Sequence, residues 1–196
     1  MASPKGIVLA SASSYRRELL ERLGLAFECA LPEVDESELP GESAADTALR
    51  LSRLKAKAVA WRFPDSIVIG CDQVASCDGA RIGKPGNHAN ALKQLEWMSG
   101  KTVAFDTALT VLDTSNDAAR SRVVPSRVTF RRLTREQIEA YLEREQPYDC
   151  AGSAKAEGLG IALIARIETE DPTSLIGLPL IALTELLAET GVPVLG

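Results

Sequence analysis

Histidine is nearly missing from this chain of 196 residues, and its one imidazole, His88, lies in the polar stretch GKPGNHANA, which reads as a loop or a helix start. Imidazole-based triads and phosphohistidine chemistry are therefore all but excluded. Cys29, Cys71, Cys77 and Cys150 form no C-x-x-C pair, and each stands in an apolar or strand-like context where cysteine acts as a small hydrophobe. That argues against a zinc site and against a disulfide framework. No uncharged apolar run approaches the roughly 18 residues of a membrane span, and the opening MASPKG has neither the basic nor the apolar region of a signal peptide. The chain is expected in the cytoplasm, with no membrane partner. A phosphate-cradling G-x-x-x-x-G-K-[ST] loop is missing too, so the P-loop motor folds are not supported. Nor is there an excess of basic charge: 22 Lys and Arg face 27 Asp and Glu, for a net charge of -5 and a pI near 5.1. A nucleic-acid backbone is not the main partner of such a chain, and any anion site has to be local.

What is present is a hydrophobic content of 45% without repeats, low-complexity segments or a clean linker, which suits a single domain over residues 1–196. Gly6 to Ala10 reads as a buried strand. Ser13 or Ser14 caps the next helix, Leu19, Leu20 and Leu23 make its core face, and Gly24 ends it. Residues 26–31 read as a second strand. A helix over about 43–62 is expected to bury Ala44, Ala48, Leu51, Leu54, Ala58 and Trp61, with Lys55 bordering that stripe. SIVIGCDQV reads as an apolar strand ending on an acid, and Cys77 to Ala80 as the turn of a hairpin. A helix over 87–99 stops at Gly100, and strands over 102–112 and 122–131 pair antiparallel around Asn116. Thr134 caps TREQIEAYLERE, IALIARIE is one more strand, and a last helix runs from about Pro179 to Glu189. The alternation predicts an α/β protein, a mixed β-sheet flanked by helices, with its sites at strand ends.

Three stretches could carry chemistry. SASSYRREL puts Arg16 and Arg17 in the first turn of a helix, an end that the backbone dipole already makes positive. With Ser11, Ser13 and free backbone N–H groups they form a cradle for a polyphosphate; the bland alternative is arginines that reach solvent or pair with Glu21. Asp72 is the second candidate. A carboxylate on an apolar strand needs a metal, a lysine or water, and suits metal binding or water activation unless it only caps a turn. Lys84 follows 12 residues later, and PEVDE contributes Glu33, Asp35 and Glu36. The third stretch, CAGSAKAEGLG, combines three glycines with Lys155 and Glu157, and the residues alone leave a binding loop and a solvated loop equally open.

Taken in order, SASSYRREL, PEVDE, LSRLKA, IGCDQV, GKP, AGSAKAEG and GLPL resemble the Maf family of nucleoside triphosphate pyrophosphatases over nearly the whole chain. Tyr15, Gln73 and Glu157 make the chain most similar to the YceF subfamily, the 7-methyl-GTP pyrophosphatases. The resemblance implies a fold related to the inosine triphosphate pyrophosphatases, homodimerisation and a divalent cation such as Mg or Mn. It implies Asp72 as the proton acceptor and metal-side acid, with Glu33 beside it, and Tyr15, Gln73 and Glu157 as the residues that choose the substrate. Ser11, Arg16, Arg17, Lys55, Lys84 and Lys155 carry over as phosphate-binding or supporting residues. Two positions depart from the family pattern: Ser14 stands where proline or another residue is usual, and Ala154 where an aromatic usually follows AGS. The implied reaction converts 7-methyl-GTP to 7-methyl-GMP and diphosphate; the competing expectations are unmodified pyrimidine triphosphates as substrates, or a nucleotide-binding regulator of septum formation.

Overall fold

Parallel pairing dictates how this chain begins. β1 (Gly6–Ala10) pairs in parallel with β2 (Glu28–Cys29) and with β3 (Ser66–Cys77), the latter in register from Gly6 opposite Ser66 to Ala10 opposite Gly70. Such neighbours need crossovers, which α1 (Ser14–Glu21) and α2 (Ala44–Ala60) supply in the computed structural model, whose described residues are 5–195. Ser13 caps α1 by accepting the Arg16 N–H, and Ser43 caps α2 by accepting that of Asp46. The strand expected over residues 26–31 shrinks to the two residues of β2, and the PEVDE segment after it has no partner strand.

β3 does not stop at the acid. It runs on from Gly70 to Cys77, where Asp78 and Gly79, at φ of 49° and 80°, turn it into β4 (Ala80–Ile82), its antiparallel partner. Asp72 therefore lies within β3, two residues past the last partner in β1. The end predicted there belongs to the neighbouring strand.

The remaining elements are α3 (His88–Met98), β5 (Thr102–Asp113), β6 (Ala118–Phe130), α4 (Arg135–Glu145), β7 (Ile164–Thr169) and α5 (Leu180–Glu189). The sheet has seven strands in the order β2-β1-β3-β5-β6-β7, with β4 on β3, and mixes parallel and antiparallel pairs as expected. At the foot of β6 the Phe130 N–H donates to the Lys101 carbonyl just before β5, the meeting of ends that an antiparallel hairpin requires. The first three residues of IALIARIE belong to a 3-10 turn, Leu159–Leu163, rather than to the strand.

The described residues form two compact units: one through Gln73, Thr107–Val124 and from Asp171 onward, the other Val74–Asp106 and Pro125–Glu170. In the first, Ile7, Leu9, Ile67, Ile69, Leu109 and Val111 pack with Leu19 and Leu20 of α1 and Leu183, Leu186 and Leu187 of α5. The opposite strand faces, Val8, Ala10, Val68 and Leu112, meet Ala56 and Val59 of α2. The buried face of α2 is Thr47, Ala48, Leu51, Ser52, Lys55, Ala56 and Val59, whereas Leu54 and Trp61 are 39% and 81% exposed. The predicted stripe holds at Ala48 and Leu51 and drifts off the buried face at Leu54 and Trp61, because it counts only apolar residues and the buried face includes a serine and a lysine.

In the second unit α3 packs on α4, whose start is closed by the Thr134–Gln137 capping box. His88, the first residue of α3, holds Tyr148 Oη at 3.1 Å and Glu139 Oε2 at 2.7 Å, so it serves structure. All four cysteines are free; Cys71 and Cys77 are buried, while Cys29 is exposed. Among the described residues no helix is long and apolar enough to cross a membrane.

Candidate active site

Gly70 decides how closely α2 can approach β3. A Cβ built there would lie 2.1 Å from the Ser52 carbonyl oxygen and 2.8 Å from the Ala56 nitrogen, so only glycine admits the helix backbone. Lys55, between those two helix residues, thereby reaches Asp72, two residues along the strand. Its Nζ donates to Asp72 Oδ1 at 2.6 Å, and the two side chains are only 8% and 9% exposed. A second acid, Glu36, meets the same Nζ at 2.7 Å from a side chain that is 60% exposed. One buried ammonium thus joins two carboxylates.

Burial pushes the Asp72 carboxyl above its ordinary value; Lys55, by charge and hydrogen bond, and Arg16 by charge oppose that rise, and Glu36 adds to it. A carboxylate with raised proton affinity, held by a cation and fixed on a rigid strand, is equipped to accept a proton from water.

The two arginines of the opening motif separate. Arg17 points to solvent and pairs with Glu21 at 3.0 Å, the bland alternative for that residue. Arg16 turns inward, donating through Nε to the Gly177 carbonyl at 2.9 Å. The same carbonyl accepts from the buried Cys71 thiol at 3.0 Å, and burial raises that thiol's pKa to about 11, so it stays a neutral donor. Gly177 adopts φ 127°, open to glycine, at the head of GLPL. Its loop is tied to α5 by Asp171, whose buried carboxylate accepts the Ile181 N–H at 2.7 Å and the Thr173 hydroxyl at 2.7 Å, and by Thr173 Oγ1, which accepts the Leu180 N–H at 2.8 Å. Ser11 is buried and its hydroxyl accepts the Ser13 N–H at 3.1 Å, shaping the turn into α1; Tyr15 is half-buried on that helix. No carboxylate occupies the first turn of α1.

Gln73 faces the other way from Asp72. Its amide nitrogen donates to Thr107 Oγ1 at 2.9 Å and lies 2.9 Å from the Ser174 and 3.2 Å from the Leu175 carbonyl oxygens, which leaves Oε1 as its remaining polar atom. Asp72, Lys55, Glu36, Arg16 and the Gly177 loop all belong to the first unit.

Lys84, Lys155 and Glu157 belong to the second. Lys84 and Glu157 are exposed. Lys155 pairs with Glu145 at 3.4 Å; burial lowers its proton affinity, but Glu145 and then Glu157 outweigh that and hold it above its ordinary value. Far from being a free solvated segment, the glycine-rich loop is fastened to α4. Tyr141 Oη accepts the Lys155 N–H at 3.1 Å, and Glu145 Oε2 accepts the Leu159 N–H at 2.8 Å. Gly160 lies against the Lys155 backbone, where a Cβ would come within 2.6 Å of both its nitrogen and its oxygen.

Glu33 is exposed, and the acid of PEVDE that joins Asp72 is Glu36. Among the described residues no three His, Cys, Asp or Glu gather into a metal cage. Asp72 and Glu36 converge on the Lys55 ammonium, and their carboxylate oxygens are of the hard donor type with which a divalent cation binds through one or two acids plus substrate phosphates. The sequence offers Glu36 only as one of three acids in PEVDE, with Glu33 as the residue the resemblance favours, and assigns no separate role to Gly70 in IGCDQV or Gly177 in GLPL; a glycine interrupting an apolar strand is the available sign for Gly70.

The family described as Maf-like protein matches residues 6–190. Two curated relatives named 7-methyl-GTP pyrophosphatase are those of Thiobacillus denitrificans, 58% identical over 96% of this chain and 94% of that protein, and of Cupriavidus pinatubonensis, 54% identical over 95% and 94%. A solved HAM1 protein from Coxiella burnetii is 19% identical, with a TM-score of 0.47 over 66% of this chain and 75% of that one.

Proposed function

Because the chain belongs to the Maf-like protein family, we propose that it is a nucleoside triphosphate pyrophosphatase converting 7-methyl-GTP to 7-methyl-GMP and diphosphate, the substrate in its relatives' names. The observation that carries this is the buried Asp72–Lys55 pair at 2.6 Å, a proton acceptor and a cation held together on rigid elements. Asp72 takes a proton from water as its oxygen attacks the α-phosphorus. The new P–O bond forms as the bond from the α-phosphorus to the bridging oxygen breaks, and diphosphate leaves with that oxygen and its electron pair. Lys55 and Arg16 bring positive charge to the phosphate oxygens, with Lys84, Lys155 and Arg17 as further candidates and Ser11 as a hydroxyl donor.

A divalent cation, Mg or Mn, would be held by Asp72 and Glu36 together with triphosphate oxygens, with Glu33 in the same segment as a further acid. When bound it neutralises charge on the phosphates. N7 methylation leaves the guanine ring cationic, so stacking on Tyr15 gains about 0.5–2 kcal/mol over the unmethylated base. Glu157 accepts the N1 and N2 donors of the base, and Gln73 contributes through Oε1. A cytoplasmic homodimer completes the assignment, in keeping with the family resemblance.

The test is a panel of 7-methyl-GTP, GTP, UTP and CTP, each with and without Mg or Mn, in which diphosphate and nucleoside monophosphate are measured together. Release of diphosphate with 7-methyl-GMP as the preferred product is expected. Preference for UTP or CTP would move the assignment to unmodified pyrimidine nucleotides, and no turnover of any of them would leave a nucleotide-binding regulator.

A further inference from the structure

Glu36 poses a mechanical question. Its side chain is 60% exposed and its segment lies outside any helix or strand, yet its carboxylate sits 2.7 Å from Lys55 Nζ. Holding a long, exposed side chain in one place costs rotamer and backbone entropy that its own contacts do little to offset. Something else has to hold the segment.

We propose that Arg50 is a positioning residue whose guanidinium latches the Glu36 segment to α2 and so keeps Glu36 on the Lys55–Asp72 pair; this rests on the pyrophosphatase assignment above. Arg50 donates through Nε to Glu42 Oε1 at 2.6 Å and through Nη2 to Glu42 Oε2 at 2.9 Å, the two-pronged geometry in which arginine is strongest. Nη2 also lies 2.9 Å from the carbonyl oxygen of Ser37, the residue directly after Glu36. On the other side of Glu36, Asp35 Oδ1 accepts the Ser37 N–H at 2.9 Å and its hydroxyl at 2.5 Å. Glu42 extends the latch, accepting the Thr47 hydroxyl at 2.9 Å and the Leu39 N–H at 3.4 Å. Arg50 and Lys55 share α2, so one helix carries both the latch and the cation that the latched acid reaches. Hydrogen bonding to Arg50 first, then to Thr47 and the Leu39 N–H, outweighs desolvation and holds the Glu42 carboxyl at about 2, so the latch stays charged throughout the working range of an enzyme. The Nε and Nη2 of Arg50 are committed to the oxygens of Glu42 and Ser37.

The experiment compares wild type with Arg50→Ala, Arg50→Lys, Glu36→Gln and the double variant Arg50→Ala/Glu36→Gln, with Glu42→Gln as a gentler way to open the latch should Arg50→Ala fold poorly. Loss of Arg50 is expected to lower kcat roughly 10- to 100-fold, as small misplacements of reacting groups do, with KM changed less than about twofold. Arg50→Lys, which keeps the charge without the fork, recovers only part of the rate. In the double variant kcat falls no further than in Glu36→Gln alone, because the latch acts through that acid. Amide hydrogen exchange over residues 35–42 should quicken in Arg50→Ala while the β1 and β3 amides keep their protection. Additive losses in the double variant, a raised KM at unchanged kcat, or unchanged exchange over 35–42 each overturn the latch. Should wild type itself release no diphosphate from any triphosphate, the enzymatic assignment falls, and the exchange measurement alone decides whether Arg50 orders the segment.

Discussion

Gly70 and Ser52 touch through their backbones: where any other residue would carry a Cβ, the Ser52 carbonyl oxygen stands 2.1 Å away. The closeness sets the Lys55–Asp72 distance. Gly70→Ala forces α2 off the strand, with an expected cost of about 1–3 kcal/mol from overpacking and a fall in kcat beyond what lost stability explains. Urea unfolding and steady-state kinetics read the two effects, and wild-type stability in Gly70→Ala would show that the helix sits farther out than described.

Asp72→Asn keeps the size of the side chain and removes the base. Turnover should drop by about 10²-fold or more while far-UV circular dichroism is unchanged. Near-wild-type diphosphate release by this variant would strip Asp72 of its role.

The same variant has a pH signature. Burial, opposed by Lys55 and Arg16, leaves the folded Asp72 holding its proton to higher pH than the unfolded chain, whose ordinary value is 3.8. The associated stability is complete below that value and is lost as pH rises through the raised one. Asn has nothing to lose in this way. The Tm difference between Asp72→Asn and wild type should therefore shift toward the variant as pH is raised from below 3.8, and the acid limb of wild-type kcat/KM should lie above that value. A difference that shifts the opposite way would mean that Lys55 dominates the carboxylate.

Lys55→Met leaves a buried carboxylate unpaired, at an expected cost of about 3–5 kcal/mol. Adding Asp72→Leu should recover much of that stability without restoring turnover, since an apolar pair of similar volume needs no mutual compensation. Chemical denaturation of the single and double variants separates the structural share of the pair from its catalytic share.

Tyr15→Ala should narrow the preference for the methylated base. Losing about 0.5–2 kcal/mol of cation–π attraction corresponds to roughly a 2- to 30-fold fall in the ratio of kcat/KM for 7-methyl-GTP over GTP. An unaltered ratio would move the recognition of the methylated ring elsewhere.

Much of this architecture could be read from local signals. Ser13 and Thr134 announce helix starts because a cap acts within a single turn, and the apolar runs of β1 and β3 stand out because buried strands need no polar alternation. The phase of α2 could not be read the same way. Lys55 and Ser52 look like surface residues until Asp72 and Thr110, far along the chain, are seen to satisfy them. The same limit explains Asp72, whose place beside a strand end depends on where β1 stops. It explains Glu36 as well, since nothing periodic marks which acid of PEVDE turns inward. The residues alone leave the glycine-rich loop open between a binding loop and a solvated one because its anchors, Tyr141 and Glu145, lie on α4.

The parallel pairing of β1 with β3 has a kinetic corollary. Gly6 must find Ser66 before β1, which leads into the turn at Ser11, and β3, which carries Asp72, are held side by side, and Lys5 meets Asp113 across 108 residues. Contacts of such long range form slowly, because loop closure opposes them until the docked strands reward it. Reactivity should consequently be among the last properties to return on refolding, trailing the helical signal of α1 and α2, and a nascent chain released before Asp113 emerges should be helical yet inert.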